Sequence, residues 1–290
     1  MRPPILDREE YIEQAYFFRV YRERLLENVP SQEILQTIQE EILATTRLPM
    51  AIDFLRTEIL HSGRISDAMQ RLPHYFAPFQ TFVIERAEDD ESRFEQVVAL
   101  EILEREAAYR AKSPTTAGLF VFQFECITRN RLGYTAGLEA MSGDPLCSDD
   151  WSRWIKRLSS ALGERELAEV VYLASQHFNN RRTSRSAPKN GESEQAPAHS
   201  PPLLFGDQEG RIAKANIGRD PLFFFAALQR QLDYPAVPRS QRVNDSQKLP
   251  VFLEARLIKI EQRLKIVEME TKGGIDLKQF YKNPELDNEQ

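Results

Sequence analysis

Between Asp7 and Ala111 apolar residues recur every three or four positions, and single prolines or glycines cut the pattern at short intervals. That spacing lines one face of a helix, and the interruptions are too close together for long rods. Helix one reads from Asp7 to Asn28, with Tyr11, Ala15, Phe18, Tyr21 and Leu25 on one face and Pro30 as its stop. Asp7 is placed to cap it, and Glu9 and Glu10 suit its positive end. Ser31 is expected to cap helix two, which carries Ile34, Ile38 and Ile42. Pro49 opens helix three, with Leu48, Ile52, Leu55 and Ile59 inward, and Gly63 ends it. A short helix four follows with Ala68, Met69 and Leu72; Pro73 and Pro78 then bracket His74–Ala77. Helix five carries Phe79, Phe82 and Val83, and helix six runs from about Ser92 to Ala111 with Phe94, Val97, Val98 and Leu103. Short connections force neighbours to run opposite ways, so an all-α antiparallel bundle of about six helices is expected over residues 7–112.

After the break Ser113–Thr116, a second helical module is expected over residues 117–180. Trp151, Trp154, Ile155 and Leu158 lie at core spacing there. A faint echo links the halves: Phe18 and Ile34 with Phe122 and Leu138, then Leu55, Gly63 and Ala68 with Ile155, Gly163 and Ala168. The two shifts differ, so a degenerate repeat and chance stand nearly level. Residues 181–219 read mostly as flexible linker, rich in Ser, Pro, Asn and charge. A short apolar helix is expected over 220–233, capped by Asp220 and opened by Pro221, with Phe224, Phe225, Leu228 and Leu232 on it. Residues 239–247 form another linker, and a last amphipathic helix over 250–271 carries a heptad seam: Leu253, Leu257, Ile260, Leu264 and Val267.

The balance of charge narrows the partners. Thirty-eight basic residues against 44 acidic give a net charge of -6, which argues against nucleic acid, whose phosphates need a basic surface. Arg181, Arg182 and Arg185 read as a solvated linker. Cys126 and Cys147 share no metal-ligand spacing and fit a reducing cytoplasm. The segment Met1–Glu10 has no apolar signal core, and the most apolar window, Ala117–Ile127, is short and broken by Gln123 and Glu125. A soluble cytoplasmic protein without a membrane span is the expectation.

Chemistry finds little purchase. His61, His74, His177 and His199 share no metal-binding spacing, and HExxH, GxxxxGK and GxSxG are absent. The run Glu88, Asp89, Asp90 and Glu91 could offer hard oxygens to a divalent cation, but reads more simply as a solvated turn before helix six. No catalytic residue, cofactor or bound metal is therefore expected. The Phe-rich helix will not stay in water, because each buried Phe is worth ~1.5–3 kcal/mol. It folds back onto the bundle, the favoured outcome, or docks on a partner. The heptad helix faces the same choice between packing in cis and forming a homo-oligomer.

Four phrases in order carry a resemblance. Phe17–Leu35 (FFRVYRERLLENVPSQEIL), Gly63–Met69 (GRISDAM), Pro73–Val83 (PHYFAPFQTFV) and Ala87–Phe94 (AEDDESRF) resemble the F-domain family, the inner-membrane platform proteins of bacterial type II secretion and type IV pilus systems. The resemblance covers about a third of the chain, residues 17–109, without the family's transmembrane helices. It implies a small helical bundle that is not an enzyme. The functional expectation is a soluble adaptor that binds another protein, through Tyr75, Phe76 and Phe79 beside the prolines and through Phe224, Phe225, Leu228 and Leu232. A structural protein self-assembling through residues 250–271 is the alternative, and a metal-dependent enzyme built on scattered carboxylates is the more distant one.

Overall fold

A computed structural model describes residues 5–89, 92, 94–186 and 203–239. The linker expected at 239–247 and the helix expected at 250–271, including the seam Leu253, Leu257, Ile260, Leu264 and Val267, lie outside the described residues, except for Arg239. So do Asp90 and Glu91.

The fold is all-α. Its first six helices are α1 (Arg8–Leu26), α2 (Ser31–Glu41), α3 (Leu48–Ser62), α4 (Ile65–Arg71), α5 (Pro78–Glu88) and α6 (Gln96–Arg110). They stand close to where the periodicity puts them, although α6 begins at Gln96 and leaves Phe94 in the turn before it. Asp7 is the extended N-cap residue of α1 but makes no side-chain cap hydrogen bond, and α3 ends at Gly63 with φ 74°. At α2 the cap position falls on Pro30, and Ser31 is the first helical residue. Proline supplies the extended turn itself, so the serine hydroxyl is not needed there. The helix α1 lies along α6, and three contacts give its sense: Arg8 with the Ala111 carbonyl, Arg110 over the Tyr11 ring, and Arg22 with Glu104. Position rises along one helix as it falls along the other, so the pair is antiparallel.

Seven further helices follow: α7 (Thr116–Asn130), α8 (Tyr134–Ser142), α9 (Asp149–Ala161), α10 (Leu167–Leu173), α11 (Gln176–Ser186), α12 (Asp207–Asn216) and α13 (Pro221–Leu232). Thr115 and Ser148 cap α7 and α9 by accepting from Gly118 and Trp151 backbone N–H groups. The long apolar run after Leu119 breaks at Arg131, which is left-handed with φ 56°. Residues 7–112 and 117–180 do not close separate cores. Phe79, Phe82 and Val83 of α5 belong to the same buried cluster as Phe122, Leu138 and Ile155.

The expectation for residues 181–219 needs correction. Here α11 continues to Ser186, and α12 occupies much of 203–219. The cause is an anchor that composition does not reveal. Phe205 sits among Phe120, Trp151 and Trp154, with ring centroids 6.1, 5.2 and 5.4 Å away. A two-way backbone contact pins it: Gln176 N–H donates to the Phe205 carbonyl at 2.8 Å, and Leu204 N–H to the Ala174 carbonyl at 3.0 Å. Gly210 then lets α12 lie against α10 and α11, since a Cβ there would meet the Ser175 hydroxyl at 2.3 Å and His177 Cβ at 2.7 Å.

The Phe-rich helix folds back in cis. The Asp220 carboxylate accepts from Leu222 N–H at 2.8 Å, and Pro221 fills the first turn. Phe224, Phe225 and Leu228 enter the shared core against α7. The cap and the buried face of α13 therefore test separate forces. Asp220→Ala should cost about 1 kcal/mol as a lost cap, whereas Phe225→Ala should cost about 3–5 kcal/mol through lost burial and a residual cavity. Urea unfolding followed by circular dichroism would order the two.

Candidate functional site

The residues expected to form a binding surface lie inside. Tyr75, Phe76, Phe79, Phe224, Phe225 and Leu228 are buried, and Leu232 is half-buried. The prolines at 73 and 78 turn Tyr75 and Phe76 inward rather than presenting them. The Tyr75 hydroxyl donates to Glu10 at 2.8 Å, and the other Glu10 oxygen takes the Arg47 backbone N–H at 2.8 Å. Beside it runs an amide chain. Ala77 N–H donates to Gln80, Gln80 to Gln14, and Gln14 to the Tyr75 carbonyl, at 3.1, 3.2 and 3.4 Å. Burial, then the Glu10 hydrogen bond, pushes the Tyr75 phenol up. This is a hydrogen-bonded polar seam between α1 and the turn into α5, buried along its length.

A second buried group joins the two halves. Arg110 and Glu106 of α6, Gln123 of α7 and Asp144 of the loop after α8 meet with almost no solvent exposure. The Arg110 fork grips both Asp144 oxygens and reaches Glu106 at 2.9 Å. Gln123 donates to Glu106 at 2.7 Å and to Asp144 at 3.3 Å. Burial alone would lower the Arg110 pKa; Asp144 and then Glu106 reverse that, so it stays charged. The i,i+4 spacing of Glu106 and Arg110 was open to view in the sequence. What hides their role is that they fall on the same stripe as Leu103 and Ala107, which are core.

Two other constellations fall short of chemistry. Ser175, His177 and Asp207 converge where α12 meets α10 and α11, and His177 Nδ1 lies 2.9 Å from Asp207. The Ser175 hydroxyl, however, donates to the Tyr172 carbonyl at 2.6 Å and is fully buried, so it is a turn-former. Glu58 and His61 have the Glu-x-x-His spacing of helical metal sites, but Glu58 pairs with Arg71 at 2.6 Å. Among the described residues no three His, Cys, Asp or Glu side chains are grouped to hold a metal ion. Glu88, of the acidic run, caps α4 instead: it accepts from the backbone N–H of Ile65 at 2.6 Å and of Ser66 at 3.0 Å.

Exposed large apolar side chains are scattered over the described residues, Leu43, Met50 and Leu60 among them, but three share the short corner between α12 and α13. Ile217, Leu222 and Phe223 are 41%, 48% and 66% exposed. The corner is held from both sides. Gly218 N–H donates to Glu166 at 2.8 Å, Arg219 N–H to the Asn216 carbonyl at 3.1 Å, and Asp220 caps the helix. Of the three consecutive phenylalanines, 223 points out while 224 and 225 point in. Past α13, residues 233–239 lie back on α6 and α7. Tyr234 is buried there, Tyr109 donates to the Leu232 carbonyl at 2.7 Å, and Asn130 donates to the Pro238 carbonyl at 3.0 Å.

No protein-family model, curated protein or solved structure matches this chain. Among the described residues no helix is long and apolar enough to cross a membrane.

The Arg110 group makes a sharp prediction. Arg110→Met leaves two carboxyl groups buried without their cation and should cost about 3–5 kcal/mol, while adding Glu106→Leu and Asp144→Asn should recover most of the loss. Chemical denaturation of the single and triple variants reads this directly. A pH effect comes from the tyrosines. Burial pushes Tyr21 and Tyr109 up to about 12, aided at Tyr109 by the Asp233 charge. A phenol in the unfolded chain ionises near pH 10. The folded form therefore holds these protons longer, and their contribution to stability is full below pH 10 and lost as pH rises towards 12. Tyrosinate absorbance at 295 nm should rise for these residues together with loss of helical dichroism.

Proposed function

We propose that this protein is a non-enzymatic helical adaptor whose corner at residues 217–223 binds another protein. The exposure of Ile217, Leu222 and Phe223 on a pinned corner carries the reading. Single exposed apolar residues are ordinary, but three on one short segment with its backbone already fixed are less so. A partner covering them gains burial without having to order the segment first. Phe223 then acts as an aromatic anchor, the residue type over-represented among side chains that dominate interface energy. The resemblance over residues 17–109 adds the class of partner: a component of a secretion or pilus-type assembly, met in the cytoplasm. In that arrangement the bundle is the scaffold, and α12 and α13 present the contact.

The test separates binding from folding. Phe223→Ser with Leu222→Ser changes only exposed side chains, so the melting temperature should move by no more than about 2 °C, in keeping with the small effect of surface substitutions. Quantitative capture of the principal partner from the native host should fall at least tenfold. A secretion or pilus ATPase, or a membrane component of such a machine, as that partner supports the resemblance. Capture that survives both substitutions and disappears on deletion from Lys248 onward would move the function to the seam at 253–267.

A further inference from the structure

The segment after α13 is held in a way that says what else its seat could hold. Asp233 is left-handed at φ 51° and turns the chain off the helix. The stretch Tyr234-Pro235-Ala236-Val237-Pro238 then crosses α6 and α7 without helical structure. Two of its five residues are prolines, which have no N–H, so this backbone offers mainly carbonyl acceptors. The face beneath supplies donors in the same order. Arg105 takes the Ala236 carbonyl and Asn130 the Pro238 carbonyl, while Tyr109 holds the Leu232 carbonyl at the end of α13. Side-chain anchoring comes from Tyr234. Its ring lies 6.2 Å from Phe122, and its hydroxyl is 2.6 Å from Glu125 and 2.9 Å from the Phe225 carbonyl. Pro238 is buried, Pro235 and Val237 half-buried, and Ala236 exposed.

We infer that the face built by Arg105, Phe122, Glu125 and Asn130 is a recognition groove for a non-helical Tyr-Pro-x-x-Pro segment, that residues 233–239 are its resident occupant, and that a partner protein carrying such a segment displaces them. Three features of the contact fit exchange better than permanent structure. Donors that read backbone carbonyls are indifferent to the side chains above them, and the Phe122 ring beside Tyr234 matches the aromatic lining by which proline-rich segments are recognised elsewhere. The groove keeps its floor when the segment leaves, because α13 remains seated through Phe224, Phe225 and Leu228. Prolines also pre-set the extended form, so a segment arriving in trans loses little conformational freedom on docking. The competition is one of effective concentration: a segment tethered next to its seat acts at about millimolar strength, which a partner segment of micromolar affinity can overcome when it is abundant or itself tethered. This groove and the corner at 217–223 are separate, and neither reading requires the other.

The experiment uses the full chain and a labelled peptide of residues 233–239. In the chain carrying Tyr234→Ala the resident anchor is gone. The peptide should bind it saturably by fluorescence anisotropy, at least tenfold more tightly than it binds the unaltered chain. Adding Arg105→Ala and Asn130→Ala should weaken binding at least tenfold, and a peptide with Tyr234→Ala should not bind. If the Tyr234→Ala chain does not fold, Pro238→Ser loosens the far end of the segment and is read in the same way. Absence of saturable binding to a folded loosened chain, or binding indifferent to Arg105 and Asn130, overturns the inference. A doubling of mass by light scattering in the unaltered chain, abolished by Tyr234→Ala, also overturns it, since the groove's occupant would then be the same segment of a second copy.

Discussion

The fold turns on one guanidinium. Arg110 is buried with Glu106, Asp144 and Gln123 around it and the Tyr11 ring over it at 5.9 Å. Through these contacts the last turn of α6 touches α1, α7 and the loop that leads into α9. A buried ion pair roughly breaks even against an apolar replacement, because desolvation offsets the attraction. What the group contributes is geometry. A planar fork accepts two carboxyl groups only in particular places, and a misplaced helix would leave a charge stranded. Leucines at the same positions would tolerate sliding; this arrangement does not. It also sits where residues 7–112 meet residues 117–180, which share one buried cluster.

How much of this was readable from the residues depended on range. The helices α1 to α6 follow from local rules: apolar spacing, Pro49 and Pro78 at helix starts, Gly63 at an end. The start of α13 follows in the same way from Asp220 and Pro221. What escaped was whatever depends on a distant partner. The polar run Gly206-Asp207-Gln208-Glu209-Gly210 reads as loop because glycine in such company marks turns. In the fold Gly210 is inside α12, at the spot where another helix comes too close for a Cβ. Glu88 reads as part of an acidic turn, yet it is committed to the first N–H groups of α4, 22 and 23 residues earlier. Nothing local distinguishes a glycine of freedom from a glycine of contact, or an idle carboxylate from a cap.

The candidate surface shows the same boundary. Phe223, Phe224 and Phe225 are identical and adjacent, so composition assigns them one fate. A helix advances about 100° per residue, and that rotation alone puts one of the three in solvent and two in the core. Sequence reading found the segment and its cap but chose the buried pair as the contact. Likewise, the prolines around Tyr75 and Phe76 mark a turn correctly, but Tyr75 completes the polar seam with Glu10 and Phe76 enters the apolar core instead of facing outward. A cluster of aromatics beside prolines gives the place of a bend and not the direction in which its side chains point.

Residues 203–239 enter the body through Phe205, continue through α12 and α13, and end at the contacts of Tyr234 and Pro238. Their contacts to the rest of the body reach Arg105, Tyr109, Asn130, Ala174 and Gln176, all earlier in the chain. A segment held at both ends by partners distant in sequence has fixed endpoints. A residue added or removed between Phe205 and Pro238 would therefore have to be taken up at the turns around Gly218 and Asp233, its two left-handed positions, rather than by sliding the anchors.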